Sequence, residues 1–94
     1  MEILLKKKVQ YTCSGTVNFY TCNSTSTTAT FGVEFITPPT VTCIITVNQD
    51  SKFGSTSPSN IQTTYCTVNI YMPSPTAHER SATVQWTATG WIYE

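Results

Sequence analysis

The sequence predicts an all-β protein, a six-stranded antiparallel β-sandwich, and three observations carry that prediction. β-Branched and aromatic residues alternate with polar ones along most of the chain, the period-two signature of half-buried strands. No segment shows the 3.6-residue period of a helix. Clusters of Ser, Asn, Gly and Pro break the alternation at intervals that suit strand connections. With 94 residues there is room for one domain, read here as residues 1–94.

The first strand is expected at about Leu4–Cys13, with Leu5, Val9 and Tyr11 in one phase, and the second at about Thr16–Cys22, with Ser14-Gly15 as the turn between them. Asn23–Thr28 is wholly Asn, Ser and Thr and reads as a loop. The third strand, about Ala29–Ile36, points Ala29, Phe31, Val33 and Phe35 one way and Glu34 the other. Pro38-Pro39 ends it, because neither residue can donate to a ladder. The fourth strand, about Thr40–Asn48, has Val41, Cys43, Ile45 and Val47 inward. Gln49–Asn60 then reads as a long irregular connection, of a length at which function becomes an issue. The fifth strand, about Gln62–Met72, buries Cys66, Val68 and Ile70, and Pro73-Ser74-Pro75 stops it. Thr76–Glu79 is a turn. The last strand, about Arg80–Tyr93, has Ala82, Val84, Trp86 and Ala88 in its apolar phase. Strands with one apolar face each bury it by packing two sheets together.

Composition narrows the function. Charged residues are 11% of the chain and cancel to zero net charge, so there is no basic excess to collect phosphates and no nucleic-acid partner is expected. No apolar run is long enough to insert in a membrane. One His, one Asp and four Glu form no Ser/His/Asp or Cys/His arrangement, and the chain reads as non-enzymatic. Cys13, Cys22, Cys43 and Cys66 include no C-x-x-C pair and His78 has no Cys at ligand spacing, so neither metal nor cofactor is expected. Cys43 and Cys66 lie in apolar phases and read as small buried hydrophobes. Cys13 and Cys22 close a short segment, either bridged or free. The N-terminal Ile3-Leu4-Leu5 precedes Lys6-Lys7-Lys8, the reverse of a secretory signal, so export by a signal peptide is not expected.

The stretch Phe31-Gly32-Val33-Glu34-Phe35-Ile36-Thr37-Pro38-Pro39-Thr40-Val41 resembles the H-type lectin family, in which an apolar strand enters a Pro-Pro corner and a second strand of alternating β-branched residues follows. Asp50 stands where the family carries an Asp after its second core strand. Asn60 matches a later Asn, and Val84-Gln85-Trp86-Thr87-Ala88-Thr89-Gly90 resembles the closing strand. Together these cover about residues 29–91. The chain departs from the family in having Gln62 where an Arg is usual, and in offering only His78, Glu79 and Arg80 near the place of the family's Trp with His or Asp. The resemblance implies a six-stranded sandwich assembled as a homotrimer, binding N-acetylgalactosamine-like sugars between subunits, and a kinship with modules of phage tail and fibre proteins.

On that basis Asp50, Gln62, His78 and Arg80 are candidate ligand-binding residues around an intersubunit groove. Three of them have a plainer reading as well: Asp50 as an Asx-turn cap, and His78 and Arg80 as solvated turn residues. Phe53, Trp91 and Tyr93 are candidate oligomer or partner contacts, Phe53 alternatively tucking back onto the end of the sandwich. Two functions compete. One is a glycan-binding virion component for host attachment. The other is a structural fibre or decoration protein that binds only other virion proteins.

Overall fold

The computed structural model describes residues 6–94. The expected inward position of Leu5 and the start of the first strand at Leu4 lie outside the described residues. Six strands form: β1 (Lys8–Thr21), β2 (Thr25–Thr30), β3 (Thr40–Asn48), β4 (Ser55–Ser59), β5 (Tyr65–Tyr71) and β6 (Arg80–Tyr93). They make two three-stranded antiparallel sheets, ordered β1-β6-β3 and β2-β5-β4. Side chains from both sheets meet in one core, so the fold is the all-β sandwich that the alternation predicts.

The central strands supply that core. Ala82, Val84, Trp86 and Ala88 of β6 face Cys66, Val68 and Ile70 of β5, all buried. Val41 of β3, Phe19 of β1 and Ala29 of β2 complete it from the flanks, with Phe31, Phe35, Phe53 and Met72 added by the connections. Cys43 and Ile45 pack against it half-buried. Val47 breaks the expected inward phase and is exposed, because the β3–β6 register shifts between Ile45 and Val47 and the strand turns its next side chain outward.

The partition of the strands differs from the sequence expectation in four places. Ser14-Gly15 is not a turn: β1 runs through it, paired without interruption to β6 from Lys8↔Tyr93 to Thr21↔Arg80. Gly15 lies opposite Trp86, and a Cβ there would sit 2.6 Å from the indole, so this glycine makes room for a ring. Asn23–Thr28 is not a loop throughout, since β2 starts at Thr25 and pairs with β5. Gln49–Asn60 contains a 3-10 turn (Gln49–Ser51) and then strand β4, which pairs Ser55–Ser59 with Thr67–Tyr71. Pro58 is tolerated because β4 is an edge strand.

The expected third strand, Ala29–Ile36, does not form: Ala29 and Thr30 end β2 and residues 31–39 are irregular, yet Phe31 and Phe35 are core residues. Gly32 turns the chain at φ 79°, a conformation glycine adopts freely. The amides of Phe31 and Phe35 donate to the carbonyls of Thr64 and Thr63 at 3.0 and 2.9 Å. The two rings meet edge to face, 5.5 Å between centroids. Cys13 and Cys22 are free thiols; nine residues of extended chain separate them by about 30 Å, beyond any disulfide.

Candidate functional site

The chain folds into a rod with extents of 67 × 18 × 15 Å, and the sequence-predicted site residues fall at both ends of it. At one end the β3–β4 connection meets the start of β6. Asn48 closes this connection with its amide: Nδ2 donates to the Phe53 carbonyl at 2.8 Å, and Oδ1 accepts from the Phe53 amide at 3.0 Å. Between them Asp50 and Ser51 take left-handed φ values of 55° and 53°. The clamp drives Phe53 inward, where it is 4% exposed. Phe53 is therefore a core residue and not a partner contact, because a ring flanked by polar loop residues gains more by sealing the sandwich end than by facing water.

Arg80 binds this connection to β6. Its Nε donates to Asp50 Oδ2 at 3.0 Å, and Nη1 donates to the carbonyls of His78 and Glu79 at 2.8 and 3.2 Å. The Gln49 side chain accepts from the Ser81 amide at 2.7 Å. Asp50 and Arg80 are thus brought together through their side chains, and His78 joins them through its backbone carbonyl. The Arg80 guanidinium spans the Asp50 carboxylate and two backbone carbonyls, which is the geometry of a pin between two connections.

Gln62 is not with them. It sits in the β4–β5 turn, where its amide donates to the Tyr65 carbonyl at 2.8 Å and Nε2 donates to Asn60 Oδ1 at 2.9 Å. That turn adjoins Thr63, Phe35 and Ile36, whose amide donates to the Trp91 carbonyl at 2.8 Å. The whole of β5 lies between Gln62 and Asp50, a span of about 20 Å or more. A single groove within one chain cannot hold all four predicted ligand residues.

Trp91 and Tyr93 face outward, as their phase predicts, each 49% exposed. They stand at the Gln62 end of the β1-β6-β3 sheet. Much of that sheet's outer surface is hydroxyls and amides, including Thr12 and Thr89, whose hydroxyls meet at 3.1 Å, and Thr83, whose hydroxyl meets Asn18 Oδ1 at 2.9 Å. Ile44 and Tyr20 are also exposed on it.

The outer surface of the β2-β5-β4 sheet carries a feature not anticipated from the sequence. A shallow open trough of about 380 Å³ runs over it, lined by residues that include Ser26, Ser55, Ser57, Asn69 and Tyr71. Ser26, Asn69 and Ser57 are register partners across the three strands, and Ser55 partners Tyr71 in the next outward row. Asn69 Nδ2 donates to the Ser57 carbonyl at 3.1 Å and to Ser59 Oγ at 2.9 Å, which fixes the side chain. The signal was present as serines at alternate positions 55, 57 and 59, which share a face only if the segment is a strand.

The cysteines are placed for packing. Burial raises the thiol pKa values of Cys13 and Cys43; Cys66 is pushed up to about 11 by burial first and by neighbouring Cys43 second. Among the described residues no group of three His, Cys, Asp or Glu side chains is placed to hold a metal ion.

The domain is an elongated sandwich of two three-stranded antiparallel sheets. It shares its fold with segments of phage tailspikes. Against the tailspike protein gp49 from Pseudomonas phage LKA1 the TM-score is 0.75 with 16% identity, and against the tailspike gp61 of Pseudomonas phage phi297 it is 0.59 with 26% identity. Each match covers 85% of this chain and 15% of the tailspike, so the chain spans a small part of those proteins' length. No protein-family description and no curated protein matches the chain. The H-type lectin resemblance rests on the sequence alone.

Proposed function

We propose that this chain is a non-enzymatic module of a phage tail spike or fibre, located in the virion, that assembles as a homotrimer and recognises a host-surface glycan. The observation that carries the reading is the match of 85% of the chain to segments of two tailspikes. Zero net charge and a surface rich in Thr, Ser and Asn support it, because neutral sugars are recognised by hydroxyl and amide networks with an aromatic face. The half-exposed Trp91 and Tyr93, with Ile44 on the same sheet surface, support self-association. That same broad uncharged surface favours a second reading, a structural spike segment that contacts only other virion proteins.

Light scattering combined with a glycan array tests the proposal. A trimer that binds immobilised glycans is the expected result. A trimer that binds none leaves the structural reading, and a monomer at micromolar concentration overturns the assembly.

A further inference from the structure

We infer that the trough across the β2-β5-β4 sheet is a saccharide subsite for an uncharged sugar, with Tyr71 as its aromatic wall. The inference rests on the glycan reading above and gives it a location away from the Asp50–Arg80 end. Three features of the trough point to this ligand. The first is shape. Ser26 and Ser57 are small and flank Asn69 on the central strand, so the transverse row is low, whereas Tyr71 rises from the next outward row and is 54% exposed. A row of three strands is about 10 Å wide, the length of two pyranose rings.

The second feature is hydrogen-bonding capacity. Asn69 is oriented by its two donated bonds, and its Oδ1 has no donor among the described residues. The hydroxyls of Ser26, Ser55 and Ser57 likewise have no side-chain bond among the described residues, so each can donate and accept. An array of alternating donors and acceptors on a fixed backbone matches vicinal sugar hydroxyls. The third feature is charge. No ionisable group other than the Tyr71 phenol lines the trough. A uronate or sialate would find no cation to pair with, and a phosphate no helix terminus or arginine. A flat aromatic wall beside neutral polar groups fits the C–H face of an uncharged hexose.

The test uses the intact chain, isotopically labelled, titrated with lactose, N-acetyllactosamine, maltose and cellobiose, and with 3′-sialyllactose as the acidic comparator. At least one neutral disaccharide is expected to shift the amide resonances of Ser26, Ser57, Asn69 and Tyr71, with millimolar affinity and no preference for the acidic sugar. Tyr71→Ala should weaken binding at least tenfold. Ser57→Tyr, which fills the trough from an exposed edge strand, should abolish it while leaving the spectrum of the folded protein in place. Shifts confined to the surroundings of Asp50, His78 and Arg80, or of Trp91, would overturn the trough while the glycan reading stands. Array-positive protein whose binding both substitutions leave unchanged would do the same. If no neutral disaccharide shifts any trough amide, the inference is wrong; a silent glycan array as well removes the glycan reading with it.

Discussion

The two sheets are built on different principles. In the β1-β6-β3 sheet, two 14-residue strands pair along their full length, and β6 alone gives the core Ala82, Val84, Trp86 and Ala88. In the β2-β5-β4 sheet the flanking strands have six and five residues, and among their side chains only Ala29 is buried and hydrophobic. Its inward apolar face belongs almost wholly to Cys66, Val68 and Ile70 of β5. The long sheet is held by what it buries. The short sheet is held by one central strand and by its backbone pairing to two flanking strands rich in Ser and Thr. A surface relieved of packing is free to carry recognition, and the trough lies there.

The largest expected effect breaks the long sheet at its anchor. Trp86 is 5% exposed and stacks near Phe31 at 5.6 Å between centroids, so Trp86→Ala should cost roughly 3–5 kcal/mol in a urea titration. No residue of β2 or β4 should approach that loss; Ser26→Ala and Ser57→Ala should stay within about 0.5 kcal/mol. If the β4 serine variant were as damaging as Trp86→Ala, the contrast between the sheets would be false.

Gly15 sharpens the same point. Its added Cβ would lie 2.6 Å from a ring that is locked in the core, so Gly15→Ala should cost roughly 1–3 kcal/mol through overpacking. The smaller phenyl ring of Trp86→Phe should leave more room for the added methyl than the indole does, so Gly15→Ala and Trp86→Phe should be less than additive. Strict additivity, measured by the double-mutant cycle, would show that Gly15 is there for backbone freedom and not for the indole.

The same contrast sets what was legible in the sequence. β3 and β6 lie at the expected Thr40–Asn48 and Arg80–Tyr93, because each alternates apolar and polar side chains over most of its length. β2 and β4 were hidden because Ser and Thr on both faces erase the period-two contrast, and a threonine-rich strand resembles a polar loop. Gly15 misled for a related reason, since a glycine marks a turn or a close approach equally well, and the indole it accommodates lies 71 positions away in the register partner Trp86. The candidate site was half legible. The neighbourhood of Asp50, His78 and Arg80 follows from adjacent strand ends, whereas the remoteness of Gln62 depends on the hidden strand β4, which carries the chain to the far end.

A pH series probes the core between the sheets, where Cys66 of β5 is the fully buried thiol. A folded-state pKa of about 11, above the ordinary thiol value, means that the unfolded chain releases this proton first as pH rises. The contribution is complete below about pH 8.5, the ordinary thiol value, and is lost as pH climbs through 11, with a slope of at most about 1.4 kcal/mol per pH unit. Denaturant titrations should show this decline, and Cys66→Ala should reduce it, leaving the part that Cys13 and Cys43, whose pKa values burial also raises, contribute. At neutral pH a thiol reagent should modify exposed Cys22 in the native protein and leave Cys66 untouched until unfolding.

The smallest effect is that of the ion pair in the pin between the connections. Asp50 is 59% exposed where it meets Arg80, so the ion pair is screened and contributes little. Its backbone carries the larger demand, because φ 55° is a conformation that Asn, Asp and Gly accept and that a β-branched residue does not. Asp50→Asn keeps that tolerance and removes only the charge, and should change stability by about 0.5 kcal/mol or less. Asp50→Gly should be nearly silent as well, since glycine takes this φ freely. Asp50→Val should cost roughly 1–3 kcal/mol, the range for a residue held in a region it disfavours. The order Val, then Asn and Gly together, read from thermal unfolding at low and high salt, makes the turn and not the charge the reason for an aspartate here. A large, salt-sensitive loss in Asp50→Asn would reverse that and make the ion pair the element that holds this end of the sandwich closed.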